Sequence, residues 1–135
     1  MHTASPVGTN PRNHDDMIRP AVNGVTFVVI AAQKYKVKRV VITSSVAAIS
    51  YLPEGDNRDQ CDETCWSDLI TAQSSAYVKS KTLAERAAWD LQSKWKAEGV
   101  YWPEIVTIQP SLIVGETITT GAETSASLIR RMILN

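Results

Sequence analysis

Tyr77-Val78-Lys79-Ser80-Lys81 sets a phenol and an ammonium four residues apart. On a helix that spacing makes surface neighbours, with Cβ atoms about 5–6 Å apart. A free phenol loses its proton near pH ~10, and a cation held within about 4–6 Å favours the phenolate. A phenol tuned in this way can pass a proton to or from a carbonyl oxygen. The spacing alone is common, so the elements that carry it must decide whether it does chemistry.

Those elements alternate between helix and strand. Asp15 to Tyr35 carries Ile18, Ala21, Val22, Val25, Val28, Val29 and Ala32, at intervals of three and four that predict an amphipathic helix. Pro20 either kinks that helix or sits in its first turn. Arg39-Val40-Val41-Ile42-Thr43-Ser44-Ser45 is β-branched and apolar on both faces, which suits a parallel strand covered on both sides. Residues 51–68 form a polar loop with six acids (Glu54, Asp56, Asp59, Asp62, Glu63 and Asp68), read as solvated surface.

A long helix is expected from about Ser74 to Glu98, with Tyr77, Lys81, Ala84, Ala88, Leu91 and Trp95 on one stripe. Gly99 is placed to stop it, with Lys94 and Lys96 in the last turn. Glu104 to Gln109 predicts a second buried strand, broken by Pro110. A loop containing Gly115 and Gly121 leads to a short helix from about Ser125 to Leu134. Helix, strand, helix, strand is the alternation of an α/β protein with a parallel sheet. Ligands of such sheets bind beyond the carboxyl ends of the strands. Ser44 and Ser45 lie at one such end, Pro110 and Ser111 at the other, and Tyr77 opens the helix that joins them.

Composition narrows the function class. The 135 residues suffice for one domain, and 14 basic side chains balance 14 acidic ones. No net charge recruits nucleic acid or an acidic membrane. The basic run Lys34, Lys36, Lys38 and Arg39 is accounted for by a helix C-terminus. The longest apolar run, Val25 to Ala32, is far below the ~20 residues of a membrane span, and the N-terminus lacks a secretory signal pattern. Cys61 and Cys65 share one polar loop with no nearby His, so neither a metal site nor a disulfide framework is supported. These features predict a cytoplasmic protein with reduced thiols. Trp66, Trp89 and Trp95 read as packing residues, and His2 and His14 as incidental.

With these residues placed, the chain resembles the extended short-chain dehydrogenase/reductases, within them the dihydroflavonol reductase and cinnamoyl-CoA reductase-like group of the NAD-dependent epimerase/dehydratase superfamily. The matching blocks are His2-Thr3-Ala4-Ser5-Pro6, Pro20-Ala21-Val22-Asn23-Gly24, Arg39 to Ser45, Asp62-Glu63-Thr64-Cys65-Trp66-Ser67-Asp68, Tyr77 to Trp89 and Pro110 to Gly115. They follow the family order over nearly the whole chain. The resemblance implies a partial doubly wound, Rossmann-like sheet. It implies that Ser45 hydrogen-bonds a substrate carbonyl, that Tyr77 donates a proton, and that Lys81 binds the nicotinamide ribose and lowers the Tyr pKa. Thr3, Ala4 and Ser5 match a loop passing the cofactor, Pro110, Ser111, Leu112 and Ile113 a segment lining the nicotinamide, and Ser125 a further cofactor contact. The implied cofactor is NADP, with NAD as the alternative. The implied partner is a small-molecule aldehyde or ketone.

The sequence departs from that group in three respects. No Gly-x-Gly-x-x-Gly or Gly-x-x-Gly-x-x-Gly turn occurs, and Met1 falls where the family's fourth strand ends. The expectation is therefore the central, catalytic part of a dinucleotide-binding domain over residues 1–135, without the first three strands or the C-terminal substrate region. Ser75-Ala76-Tyr77-Val78-Lys79 lacks the Asn-Trp-Tyr-Cys-Tyr signature of true cinnamoyl-CoA reductases. Ser50 stands where plant dihydroflavonol reductases have a flavonoid-reading Asn, and Glu116 replaces the usual Pro after Gly115. A second reading is a non-catalytic remnant acting as a binding or dimerising module. An exposed sheet edge or helix face leaves room for self-association in either case.

Overall fold

The computed structural model describes residues 1–7, 11, 13–70, 75–115 and 132–134. Helix α1 runs over Asp15–Lys34, strand β1 over Arg39–Thr43, helix α2 over Ala76–Ala97 and strand β2 over Glu104–Ile108, with a 3-10 turn at Val46–Ala48 after β1. The expected alternation is present, with boundaries shifted by one or two residues. Met132, Ile133 and Leu134 are helical, while the rest of the expected terminal helix and Gly121 lie outside the described residues.

The strands pair in parallel, Arg39 opposite Glu104 through Thr43 opposite Ile108, so α2 is the crossover between them. Pairing continues beyond β1, where Ser44 N–H donates to the Ile108 carbonyl and Val46 N–H to that of Pro110. On the other edge of β1, His2 forms a parallel bridge with Ile42. His2 N–H donates to the Val41 carbonyl and Thr43 N–H to the His2 carbonyl. Three chain segments thus leave the sheet side by side at its carboxyl edge.

Val40, Ile42 and Ile105 point to one face and join a core with Ala21, Val25, Val29 and Ala32 of α1 and Ala84, Ala88 and Trp95 of α2. Val41, Thr43 and Val106 on the other face are half-buried. The described elements therefore cover one face of β1 fully rather than both. The two helices meet through small residues, and Ala88 is fully buried at that contact. Pro20 lies inside α1, not in its first turn, and cannot supply an N–H to the Asp16 carbonyl.

Capping fixes where α2 starts and stops. The Ser75 hydroxyl accepts from Val78 N–H at 3.2 Å, an N-cap worth about 1 kcal/mol. Gly99, with φ of 67°, follows the last turn in the left-handed conformation that favours glycine. The apolar stripe holds, but α2 also buries Ser80, Thr82, Glu85 and Gln92. Each finds a partner: Ser80 and Thr82 donate to the Tyr77 and Val78 carbonyls, both at 2.8 Å, and Gln92 donates to the Pro103 carbonyl at 3.1 Å. Hydrogen bonding lets polar side chains be buried where apolar periodicity points outward.

Candidate active site

Ser45 follows β1 and caps the 3-10 turn, its hydroxyl accepting from Ala47 N–H at 3.2 Å. Its neighbour Ser44 turns the other way and donates to the Glu85 carboxylate of α2. Both serines are buried. Ser44 is thereby occupied, whereas the proton of the Ser45 hydroxyl has no acceptor among the described residues.

Tyr77 and Lys81 lie on the first two turns of α2 and share a face, with the Lys81 ammonium 5.8 Å from the centre of the Tyr77 ring. Lys81 is only 7% exposed. Among the described residues it has neither an ion pair nor a hydrogen bond, and burial pushes its pKa below the ordinary lysine value. A buried ammonium with three donors and no acceptor is costly. The positive charge of Lys81 reaches His2, whose pKa is lowered first by burial, then by Lys81 and by the N-terminal charge. His2 Nε2 is itself buried with no hydrogen-bond partner among the described residues.

Thr3, Ala4 and Ser5 continue from the His2 bridge with Thr3 and Ala4 exposed, and Pro110, Ser111, Leu112 and Ile113 continue from β2 with the last three exposed. Both segments emerge at the same sheet edge as Ser45. Ser125 lies outside the described residues. The sequence-based candidates other than Ser125 are therefore gathered at one edge. Ser45 and Tyr77 are not hydrogen-bonded to each other.

Two participants escaped the sequence reading. His2, read as incidental, bridges to β1 through its backbone and sits within reach of the Lys81 charge. Glu85 also accepts from Gln109 Nε2 at 2.8 Å and from Trp89 Nε1 at 3.4 Å. The only sequence signal for Glu85 was its place four residues after Lys81.

The residues present fit one end of a dinucleotide. A buried ammonium with no acceptor among the described residues, beside a phenol, suits a polyol such as a ribose, and both loops run along the same edge. They do not supply a pyrophosphate cradle, since the sequence holds no glycine turn opening a helix. A cavity of about 240 Å³ is lined by Glu85 and Gln109 together with Cys61, Cys65, Trp66 and Trp89. None of Ser45, Tyr77 and Lys81 lines it. Cys61 and Cys65 are free thiols.

The whole chain, residues 1–135, matches the family model described as NAD dependent epimerase/dehydratase family. A cinnamoyl-CoA reductase 2 of Arabidopsis thaliana is 41% identical over 127 residues, covering 93% of this chain and 36% of that protein. An anthocyanidin reductase of Vitis vinifera is 35% identical over 142 residues, covering 98% of this chain and 40% of that protein. Among solved structures, yeast methylglyoxal/isovaleraldehyde reductase Gre2 complexed with NADPH superposes with a TM-score of 0.78 at 29% identity, covering 98% of this chain and 43% of that one. Vestitone reductase from alfalfa (Medicago sativa) gives a TM-score of 0.64 at 30% identity, over 92% and 37%. The chain thus spans about a third of the length of the curated relatives it matches. Sequence and fold agree over nearly all of it, and it belongs to the NAD-dependent epimerase/dehydratase family.

Proposed function

We propose that this chain is the central, catalytic part of a dinucleotide-binding domain, residues 1–135, in an NADPH-dependent reductase of small aldehydes or ketones, with NAD as the alternative cofactor. The observation that carries the reading is the pair Tyr77 and Lys81 on one face of α2, next to the sheet edge where Ser45 follows β1. In this reading Tyr77 delivers a proton to the carbonyl oxygen, and Ser45 donates a hydrogen bond to the same oxygen. Positioned acids of this kind contribute about 10²–10⁴-fold in rate. Lys81 holds the ribose through its unpaired donors and keeps positive charge beside the phenol. Thr3, Ala4, Ser5 and the 110–113 segment flank that end of the cofactor, with Ser125 as a further contact. When bound, the reduced nicotinamide supplies the hydride. Two free thiols in the 61–65 loop favour a cytosolic setting.

The test is a chimera in which this chain replaces the matching segment of the 41% identical cinnamoyl-CoA reductase 2. It is expected to oxidise NADPH in the presence of at least one class among hydroxycinnamoyl thioesters, flavonoid ketones and short aldehydes. Tyr77→Phe in the chimera is expected to lower turnover by about 10²–10⁴-fold with NADPH binding nearly intact. A folded chimera that binds NADPH and reduces none of these would overturn the reading. So would a Phe variant that keeps most of its turnover.

A further inference from the structure

We propose that Glu85 is a positioning residue that fastens the helix carrying Tyr77 and Lys81 to both strand ends at the candidate active site. The inference rests on the reductase reading for its consequence in catalysis, but not for the geometry itself. Glu85 is 3% exposed and no cation pairs with it among the described residues. A carboxylate in that position costs several kcal/mol unless its oxygens are well hydrogen-bonded. Here one oxygen accepts from Ser44, the residue before Ser45, and the other from Gln109 at 2.8 Å, the residue before Pro110. Trp89, one turn further along α2, donates to that second oxygen at 3.4 Å.

The arrangement is a three-way tie. Ser44 belongs to the end of β1, Gln109 to the end of β2, and Glu85 to α2 one turn after Lys81 and two turns after Tyr77. Hydrogen bonds to a charged group are stronger than neutral ones, at about 1.5–3 kcal/mol each. Sheet pairing sets the two strand ends relative to each other, and the Glu85 carboxylate sets α2 relative to both. Without it, no hydrogen bond among the described residues joins the first turns of α2 to the strand ends, and packing alone holds them at this edge. Misplacement of a reacting group by about 1 Å costs on the order of 10²-fold in rate. Glu85 itself touches none of Ser45, Tyr77 and Lys81 through a hydrogen bond, so its influence is indirect.

Trace acetylation of the 135-residue chain with acetic anhydride, read by peptide mass spectrometry, tests the tie without any catalysis. Lys81 is buried and Lys94 is exposed, so their labelling ratio reports how closely the start of α2 is held. Glu85→Ala is expected to raise that ratio roughly fivefold through local opening, with amide protection of Ala88 to Trp95 unchanged. Glu85→Gln should stay within about twofold of the parent, because its oxygen can still accept from Gln109 and its NH₂ can donate to Ser44. A folded Glu85→Ala chain with parental labelling would overturn the proposal. If Glu85→Ala does not fold, Ser44→Ala and Gln109→Ala take its place, each expected to raise labelling about twofold; no rise in either would be equally decisive against it. In the chimera, Glu85→Ala should lower kcat by roughly tenfold or more with KM for NADPH within about twofold, and Glu85→Gln should restore it. An inactive parent chimera would count against the reductase reading alone, since the labelling result stands apart from it.

Discussion

Ser44 and Ser45 carry the same side chain on adjacent residues, and the backbone sends one hydroxyl to Glu85 and the other to the cap of the 3-10 turn. No sequence pattern separates them, since alternation on a strand only says that they face opposite ways. Tyr77 with Lys81 was legible because helical spacing is enough to make them neighbours. His2 was not, because its importance comes from pairing with Ile42, a partner distant in sequence. The histidine also has a pH signature. Burial, the Lys81 charge and the N-terminal charge all lower its folded pKa below the ordinary value of 6.5. The unfolded chain therefore binds the extra proton first as pH falls, so the contribution of neutral His2 is present above about 6.5 and is lost as pH drops through the lower, folded value. Thr43 N–H bonds to the His2 carbonyl, so its protection against exchange, corrected for intrinsic rate, is expected to fall on acidification below pH ~6.5. His2→Ala should remove that pH dependence. A Thr43 amide whose corrected protection is flat from neutrality to pH ~5 would contradict the assignment.

At the level of elements, α1, α2 and both strands follow from periodicity, because each buries an apolar stripe against the same core. The stripe on α2 is narrower in sequence than in space. Val78, Thr82, Glu85 and Gln92 form a second buried face, and three of these four are polar. A charged or amide residue on a helix reads as solvated unless its partner is known, and here the partners come from the strands and from Pro103. Ala88 is the sharpest probe of the apolar face, being fully buried where the helices meet. Ala88→Glu is expected to lower stability by about 3–5 kcal/mol, as an unpaired charge enters a packed interface. Urea unfolding followed by far-UV circular dichroism measures this. A loss below about 1 kcal/mol would mean that the side chain escapes to water and that the helices are less tightly apposed.

Across the whole molecule, apolar surface remains outside the core. Phe27 is 66% exposed and Ile30 43% on the outer side of α1, and Ile108 is 51% exposed at the end of β2. Among the described residues β2 pairs with β1 alone, so its other edge offers backbone N–H and C=O groups to another chain. Self-association of the 135-residue chain is the expected outcome, visible by sedimentation velocity as a weight-average mass that grows between low micromolar and about 100 μM. Phe27→Glu should reduce it if the helix face dominates, and leave it unchanged if the strand edge does. A parent chain that stays monomeric throughout that range would exclude both surfaces. An exposed sheet edge or helix face was expected from the sequence, but not which residues would form it, because an amphipathic helix and a β-branched strand look alike in sequence whether or not their second faces are covered.

The parallel pairing of β1 with β2 also governs how the chain must reach this structure. Arg39 and Glu104, joined by an ion pair of 2.7 Å, stand at the start of strands separated by the loop and all of α2. Closing so long a segment is entropically unfavourable before any sheet contact rewards it. The helices can form from local contacts, but docking them closes a segment as long as the one between the strands. The sheet edge depends on the pairing of β1 with β2 across 65 residues, while the Glu85 tie spans 41 residues to Ser44 and 24 to Gln109. Its assembly is accordingly the step that topology makes slow.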